Sequence, residues 1–295
     1  MNGFLFAFRA SRYLPVSVTR GALWAGTMAQ WVRRAKPARR LEENLHRVTG
    51  LEGRELRRLS RAGMASAARY YAETFELPRM SNDVVDARVR MENEAEITGI
   101  IREHGRVVIA LSHSGNWDLV GAFACRNLGP VVSVAEVLKP REVFEEFVAL
   151  REGVGMRILG LEGGSTFREL IRIARGDGGL ICLLADRDLT GSGIEVDFAG
   201  HSAKVAPGPA ALAAATDTML VPVMVRYERL RGKRRRAARS RWGTVLTFGA
   251  AVSPADAPAD DRVGHLTRAW VGFMGDAIRR HPQDWHMLQR FGWTE

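Results

Sequence analysis

From residue 106 onward, short apolar runs alternate with segments of helical periodicity. The runs at 107–111, 131–135, 180–185 and 220–225 have the length and β-branched content of buried strands, with a weaker one near 156–159. Helical patterns at 117–128, 140–153, 165–175 and 207–216 lie between them, and a strand at 244–248 and a helix over 262–280 follow. Such alternation predicts an α/β fold with a central, mostly parallel or mixed sheet flanked by helices. Upstream, residues 39–77 read as helices, the longer from about 54 to 75. Residues 84–92 read as a strand (Val84, Val85, Val89, Met91) and 94–103 as a helix. With no repeat or low-complexity linker, the chain divides into a basic helical region over 1–80 and one continuous α/β unit over 81–295.

Residues 1–35 form two amphipathic pieces broken at Pro15. The second sets Trp24, Met28 and Trp31 at i, i+4 and i+7, with Arg20, Arg33 and Arg34 around them. That is the composition of a helix lying in a membrane interface, or of one packing its tryptophans on the domain. Phe4, Leu5 and Phe8 would join the inserting set, and Arg9 and Arg12 the set meeting anionic headgroups.

Charge strengthens the surface reading. The net charge is +10, and residues 1–80 carry 15 Arg/Lys against 6 Asp/Glu, nearly the whole excess. A second basic run lies at 229–241. Patches of this kind attract anionic lipid or nucleic acid. No uncharged stretch approaches the ~20 residues of a spanning helix. The two cysteines, Cys125 and Cys182, sit in apolar runs and read as free buried thiols, which suits a reducing compartment.

Candidate chemistry gathers where strands end. After the run 107–111 comes Ser112-His113-Ser114-Gly115-Asn116-Trp117-Asp118, with Gly115 and Asn116 as the turn and Asn116 as helix cap. The spacing suggests that Asp118, in the first helical turn, reaches back to one imidazole nitrogen of His113 and leaves the other as a base. Two more strands end in charge, one at Glu136 and one at Asp186-Arg187-Asp188. Open α/β sheets bind ligands beyond the carboxyl ends of their strands, so these ends predict one shared cleft. Arg151 shares a helical stripe with Phe144 and Phe147. There it must either meet a carboxylate or phosphate or reach the surface at the helix end. Residues 190–209 are glycine-rich without phosphate-loop or dinucleotide spacing, and neither a metal nor a redox cofactor is expected.

Taken together, SHSGNWDL, LLADRDL, the G-x-x-V-D-F-x-G of Gly193 to Gly200, AxGPAALA before a strand ending VPV, and the terminal Pro282-x-x-Trp285 with Arg290 resemble the bacterial lysophospholipid and lipid A acyltransferases. The resemblance spans roughly residues 40–295. AEVLKPREVFEEF and LADRDLTGSG are most similar to the actinobacterial members acting on phosphatidylinositol mannosides. The chain departs from the pattern at Phe198-Ala199-Gly200, where an aromatic pair usually precedes the glycine, and at His201.

The resemblance implies acyl transfer from acyl-CoA, as co-substrate, to a mannose hydroxyl of an anionic glycophospholipid, by a peripheral enzyme at the cytoplasmic face of the membrane. It assigns catalysis to His113 and Asp118 and substrate binding to Glu136, Arg151, Asp186 and Arg187. His113 would take the hydroxyl proton, and backbone N–H groups of the 114–116 turn would receive the oxyanion. Arg151 or Arg187 would hold a phosphate of acceptor or donor. Rival readings are the same chemistry on lipid A or a lysophospholipid, a lipid hydrolase activating water with the same pair, and nucleic-acid binding by the basic surface. No helix-turn-helix or RNA-binding signature favours the last, and no nucleic-acid partner is expected.

Overall fold

The computed structural model describes residues 13–294 apart from 177 and 190. The expected contributions of Phe4, Leu5, Phe8, Arg9 and Arg12 lie outside the described residues. Three helices come first: α1 (Val16–Val32), α2 (Lys36–Thr49) and α3 (Gly53–Glu76). They share a small core of Met28, Ala38, Leu41, Leu45 and Met64. The tryptophan stripe of α1 is split. Met28 is buried and Trp31 turns inward, donating to Ser60 Oγ at 2.9 Å, while Trp24 stays half exposed. Among the described residues, no helix is long and apolar enough to cross a membrane.

The remainder is built on a seven-stranded sheet of order β1-β9-β8-β2-β5-β3-β4. Its strands are β1 (Val89–Glu92), β2 (Arg106–Leu111), β3 (Val131–Ala135), β4 (Arg157–Gly160), β5 (Gly179–Leu184), β8 (Leu220–Arg229) and β9 (Trp242–Phe248). The five strands from β8 to β4 are mutually parallel, and β9 runs antiparallel to β8. Helices α4 (Asn82–Arg88), α5 (Glu94–His104), α6 (Trp117–Asn127), α7 (Arg141–Glu152), α8 (Gly164–Arg175), α9 (Gly208–Thr216), α10 (Gly232–Ala237) and α11 (Arg262–Arg280) connect or cover them.

Alternation along a strand explains the two main cores. Val107, Ile109 and Leu111 face α5, α6 and α7, while Val108 and Ala110 face α8, α9 and α11. On α11 the stripe Leu266, Trp270, Met274 and Ile278 is fully buried, each side chain worth roughly 1.5–3 kcal/mol against exposure.

One expectation is corrected and one unassigned segment resolved. Residues 84–92 are not one strand. Val84, Val85 and Arg88 are the buried face of α4, and only Val89–Glu92 adds a short edge strand. The glycine-rich segment, to which the sequence pattern assigns no element, holds the hairpin β6 (Ile194–Phe198) and β7 (His201–Val205). Its two-residue turn, Ala199-Gly200, takes φ of 58° and 86°. Left-handed backbone suits the twist of a tight hairpin but costs alanine about 1 kcal/mol. The family-pattern departure at Ala199 is thus a turn position, half-buried against the core beside Gly275 of α11, and His201 packs edge-on against Trp293.

Candidate active site

Leu111 on β2 and Leu184 on β5 are register partners in adjacent parallel strands. His113 and Asp186 each lie two residues beyond, so they leave the sheet side by side, with the strands about 4.8 Å apart. His113 Nδ1 lies 2.6 Å from Asp186 Oδ1. The His113 backbone N–H and Trp285 Nε1–H both donate to Oδ2 at 2.9 Å. Burial alone would raise the Asp186 carboxyl, but the His113 ring and these N–H donors outweigh it and hold the group below its ordinary value. An ionised carboxylate only accepts, so Nδ1 carries the proton and Nε2 is left as the basic nitrogen. The imidazole is 30% exposed and lines the cleft described below.

The expected partner of His113 is therefore corrected. Asp118 sits in the first turn of α6, fully buried, and its carboxylate bonds to groups on α3 and α7 rather than to the ring. Oδ1 accepts from Arg151 Nε at 2.8 Å, and Oδ2 accepts from Tyr70 at 2.9 Å and Thr74 at 3.3 Å. Arg151 is buried rather than reaching the surface. Its guanidinium lies over Trp117 at 4.5 Å and Phe147 at 5.3 Å. Its Nε–H is engaged by Asp118, which supplies the carboxylate partner that its place on an apolar stripe calls for. Burial keeps the Tyr70 hydroxyl well above its usual range, and the neighbouring Asp118 charge adds to this, so Tyr70 stays a neutral donor.

The turn between His113 and α6 is fixed from several sides. Asn116 caps α6, accepting the Leu119 N–H at 2.9 Å as expected, and its amide donates to Glu73 at 2.9 Å. Gly115 has φ 56°, and a Cβ there would fall 2.7 Å from the Val225 backbone, so only glycine fits. The C-terminal segment closes the outer side. The His286 N–H donates to the His113 carbonyl at 2.7 Å, and the Gly115 N–H to the Asp284 carbonyl at 2.9 Å. Ser114 N–H is engaged by the Ser112 carbonyl at 2.7 Å. Two of the three N–H groups expected to receive an oxyanion are thus already spent inside the fold.

The predicted shared cleft is present. It has a volume of about 460 Å³, with His113, Glu136 and Arg187 among its lining residues, and it enters the apolar space between the sheet and helices α6 and α7. Arg187 and Glu136 face one another at 3.7 Å. Trp117, Val120, Gly121, Ala124 and Leu128 line one wall. Eleven residue steps lead from the first to the last, or about 16 Å at ~1.5 Å per residue. Phe144, Phe147 and Arg151 line it from α7, as their stripe predicts. Cys182 also lines it as a free thiol, pushed up to about 12 by burial and by nearby Cys125.

Tyr70, Glu73 and Thr74 of α3 were not singled out in the sequence. The signal is there in retrospect: with Ser66 they form a polar stripe at helical spacing on a helix otherwise rich in alanine. A family model for bacterial lipid A biosynthesis acyltransferases matches residues 3–291. The chain belongs to that family. Among its relatives, a phosphatidylinositol mannoside acyltransferase of Mycolicibacterium smegmatis is 34% identical, covering 97% of this chain and 89% of that protein. A protein of the same name from Mycobacterium tuberculosis is 33% identical, over 95% of this chain and 84% of its own. The crystal structure of a 1-acyl-sn-glycerophosphate acyltransferase from Thermotoga maritima covers 78% of this chain and 84% of that one. At 13% identity and a TM-score of 0.38 the likeness is too loose to inform the site. In this chain the sequence-selected residues divide into three pairs: His113 with Asp186, Asp118 with the buried Arg151 on the α7 wall of the cleft, and Glu136 with Arg187 on its lining.

Proposed function

We propose that the protein transfers a long acyl chain from acyl-CoA to a mannose hydroxyl of a phosphatidylinositol mannoside. The observation that carries this reading is a histidine with a buried carboxylate on Nδ1, lining a deep apolar cleft. A sugar hydroxyl is a weak nucleophile at neutral pH and needs a base as it attacks a thioester. His113 Nε2 takes that proton, the hydroxyl oxygen bonds to the thioester carbon, and collapse of the tetrahedral intermediate expels the CoA sulfur, which recovers the proton from the imidazolium. Asp186 fixes the tautomer and stabilises the charged ring. Asp118 acts one step removed, holding Arg151 and the first turn of α6 in place.

The acyl chain occupies the apolar cleft, whose length suits on the order of a dozen methylenes at about 1.3 Å advance per ~1.5 Å bond. The names of the relatives supply the acceptor class. The half-exposed Trp24 and the exposed Tyr13, Leu14, Val18 and Val32 of the N-terminal region support peripheral contact with the cytoplasmic face of a membrane.

The test is CoA release from purified protein given acyl-CoA with phosphatidylinositol mannoside, lipid A precursor, lysophospholipid, or water alone. Acceptor-dependent release with the mannoside only is expected, abolished in a folded His113→Ala protein. Release without any acceptor would replace the transferase reading with a hydrolase.

A further inference from the structure

The cleft reaches the carboxyl ends of β2, β3 and β5, where His113, Glu136 and Arg187 line it, and one further element leaves the sheet at that edge. β8 runs parallel to β2 with Val223 opposite Leu111, then continues six residues to Arg229. At about 3.3 Å per residue, the β8–β9 connection emerges some 20 Å beyond the level of Leu111. Residues 229–241 hold eight Arg/Lys and no acidic side chain.

One of the eight is structural: Arg234 pairs with Glu228 and donates to the Ala87 carbonyl at 2.9 Å. The other seven, Arg229, Arg231, Lys233, Arg235, Arg236, Arg239 and Arg241, are exposed. None of them has an acidic partner among the described residues. A cluster of unneutralised like charges is costly to hold together unless something anionic answers it.

Two observations say what. Among the described residues, the exposed large apolar side chains fall in only two places: residues 13–32, and Leu138 with Leu189, which line the cleft. The hairpin is also tied to α1. Arg88 donates from Nε to the Ala238 carbonyl at 3.0 Å and pairs with Glu76, which in turn pairs with Arg20 of α1. Cations beside exposed apolar side chains, on the edge where a lipid must enter, fit a bilayer better than a nucleic-acid groove. At six residues, α10 is also too short to read one.

We propose that the basic hairpin at 229–241 docks on an anionic lipid bilayer and, together with Leu138 and Leu189, sets the cleft against it. The choice of lipid rests on the function proposed above, but the docking is measurable without turnover. The test uses the full chain and the quadruple variant R231Q/K233Q/R235Q/R236Q, partitioned on phosphatidylcholine vesicles with and without phosphatidylinositol. The wild type is expected to prefer the phosphatidylinositol vesicles and to leave them as salt rises. Each cation near an anionic surface multiplies partition by up to about fivefold before screening, so the variant should lose at least about tenfold. Its thermal midpoint and its turnover of a soluble acceptor analogue should be unchanged.

Equal partition by variant and wild type would overturn the proposal, as would wild-type binding that ignores lipid charge. Tighter, hairpin-dependent retention on duplex DNA or RNA than on vesicles at the same salt would reassign the surface to nucleic acid. If the variant loses vesicle binding while the wild type acylates no mannosylated lipid, the docking surface stands and the proposed acceptor falls.

Discussion

Asp186→Asn separates the structure from the sequence pattern most sharply. Three donors converge on this carboxylate: the His113 ring N–H, the His113 backbone N–H and the Trp285 indole N–H. An amide offers one acceptor oxygen, so its NH₂ must face either the ring on the Oδ1 side or the two N–H donors on the Oδ2 side. Turned toward the ring, it forces the Nδ1 proton onto Nε2 and removes the base. Turned the other way, it leaves buried donors unpaired at about 1–3 kcal/mol. The loss of a correctly held base predicts a fall of roughly 10²–10⁴ in turnover. The effect on stability depends on pH. Asp186 is held below its unfolded value, so it stabilises the fold above that value, and the contribution is lost as pH falls through the depressed folded value. The stability gap between wild type and Asp186→Asn should therefore be widest near neutrality and close under acid. Acceptor-dependent CoA release and thermal melts across pH measure both. Near-wild-type turnover in a folded Asp186→Asn protein, with turnover lost in Asp118→Asn, would return the histidine to Asp118 and refute the arrangement.

The other expected outcomes concern the wall of the cleft. Asp118→Asn strands the buried Arg151 charge and should cost about 3–5 kcal/mol in a denaturant or thermal titration, with Asp118→Asn/Arg151→Met recovering part of the loss; an unchanged midpoint for the single variant would mean the pair contributes nothing. At Gly121 a Cβ would meet Met156 Sδ at 2.3 Å, so Gly121→Ala should push that side chain aside and shorten the cleft. The acyl-CoA profile then shifts to shorter chains, and an unaltered profile would place the acyl group elsewhere.

The fold was largely legible because its signals were long or repeated. Buried parallel strands such as 107–111 carry continuous apolar runs, and the nineteen-residue α11 carries a stripe from Leu266 to Ile278. Failures came where two periods compete over few residues. Val84, Val85, Val89 and Met91 fit a strand nearly as well as a helix followed by an edge strand, and only packing of α4 decided it. The β6–β7 hairpin was hidden because Ala199 occupies a turn position that usually announces itself by Asn or Gly.

The misplaced partner of His113 has a plainer cause. A spacing of four along the chain measures nothing once a strand gives way to a helix, because the turn redirects the chain between the two residues. Asp118, inside the first turn of α6, is aimed at α3 and α7 by the same Asn116 cap that makes the turn readable. Parallel strands impose a stricter geometry: partners in register stay neighbours for as long as both chains run straight. Leu111 faces Leu184, and a step of two from each arrives at His113 and Asp186. Aligning the two strand ends, Ala110-Leu111-Ser112-His113 beside Leu183-Leu184-Ala185-Asp186, would have exposed the pair without coordinates, given only that β2 and β5 are adjacent. That adjacency was the missing fact. The sheet places β5 beside β2 although 67 residues carrying α6, β3, α7, β4 and α8 intervene, and no local pattern records a crossover of that kind.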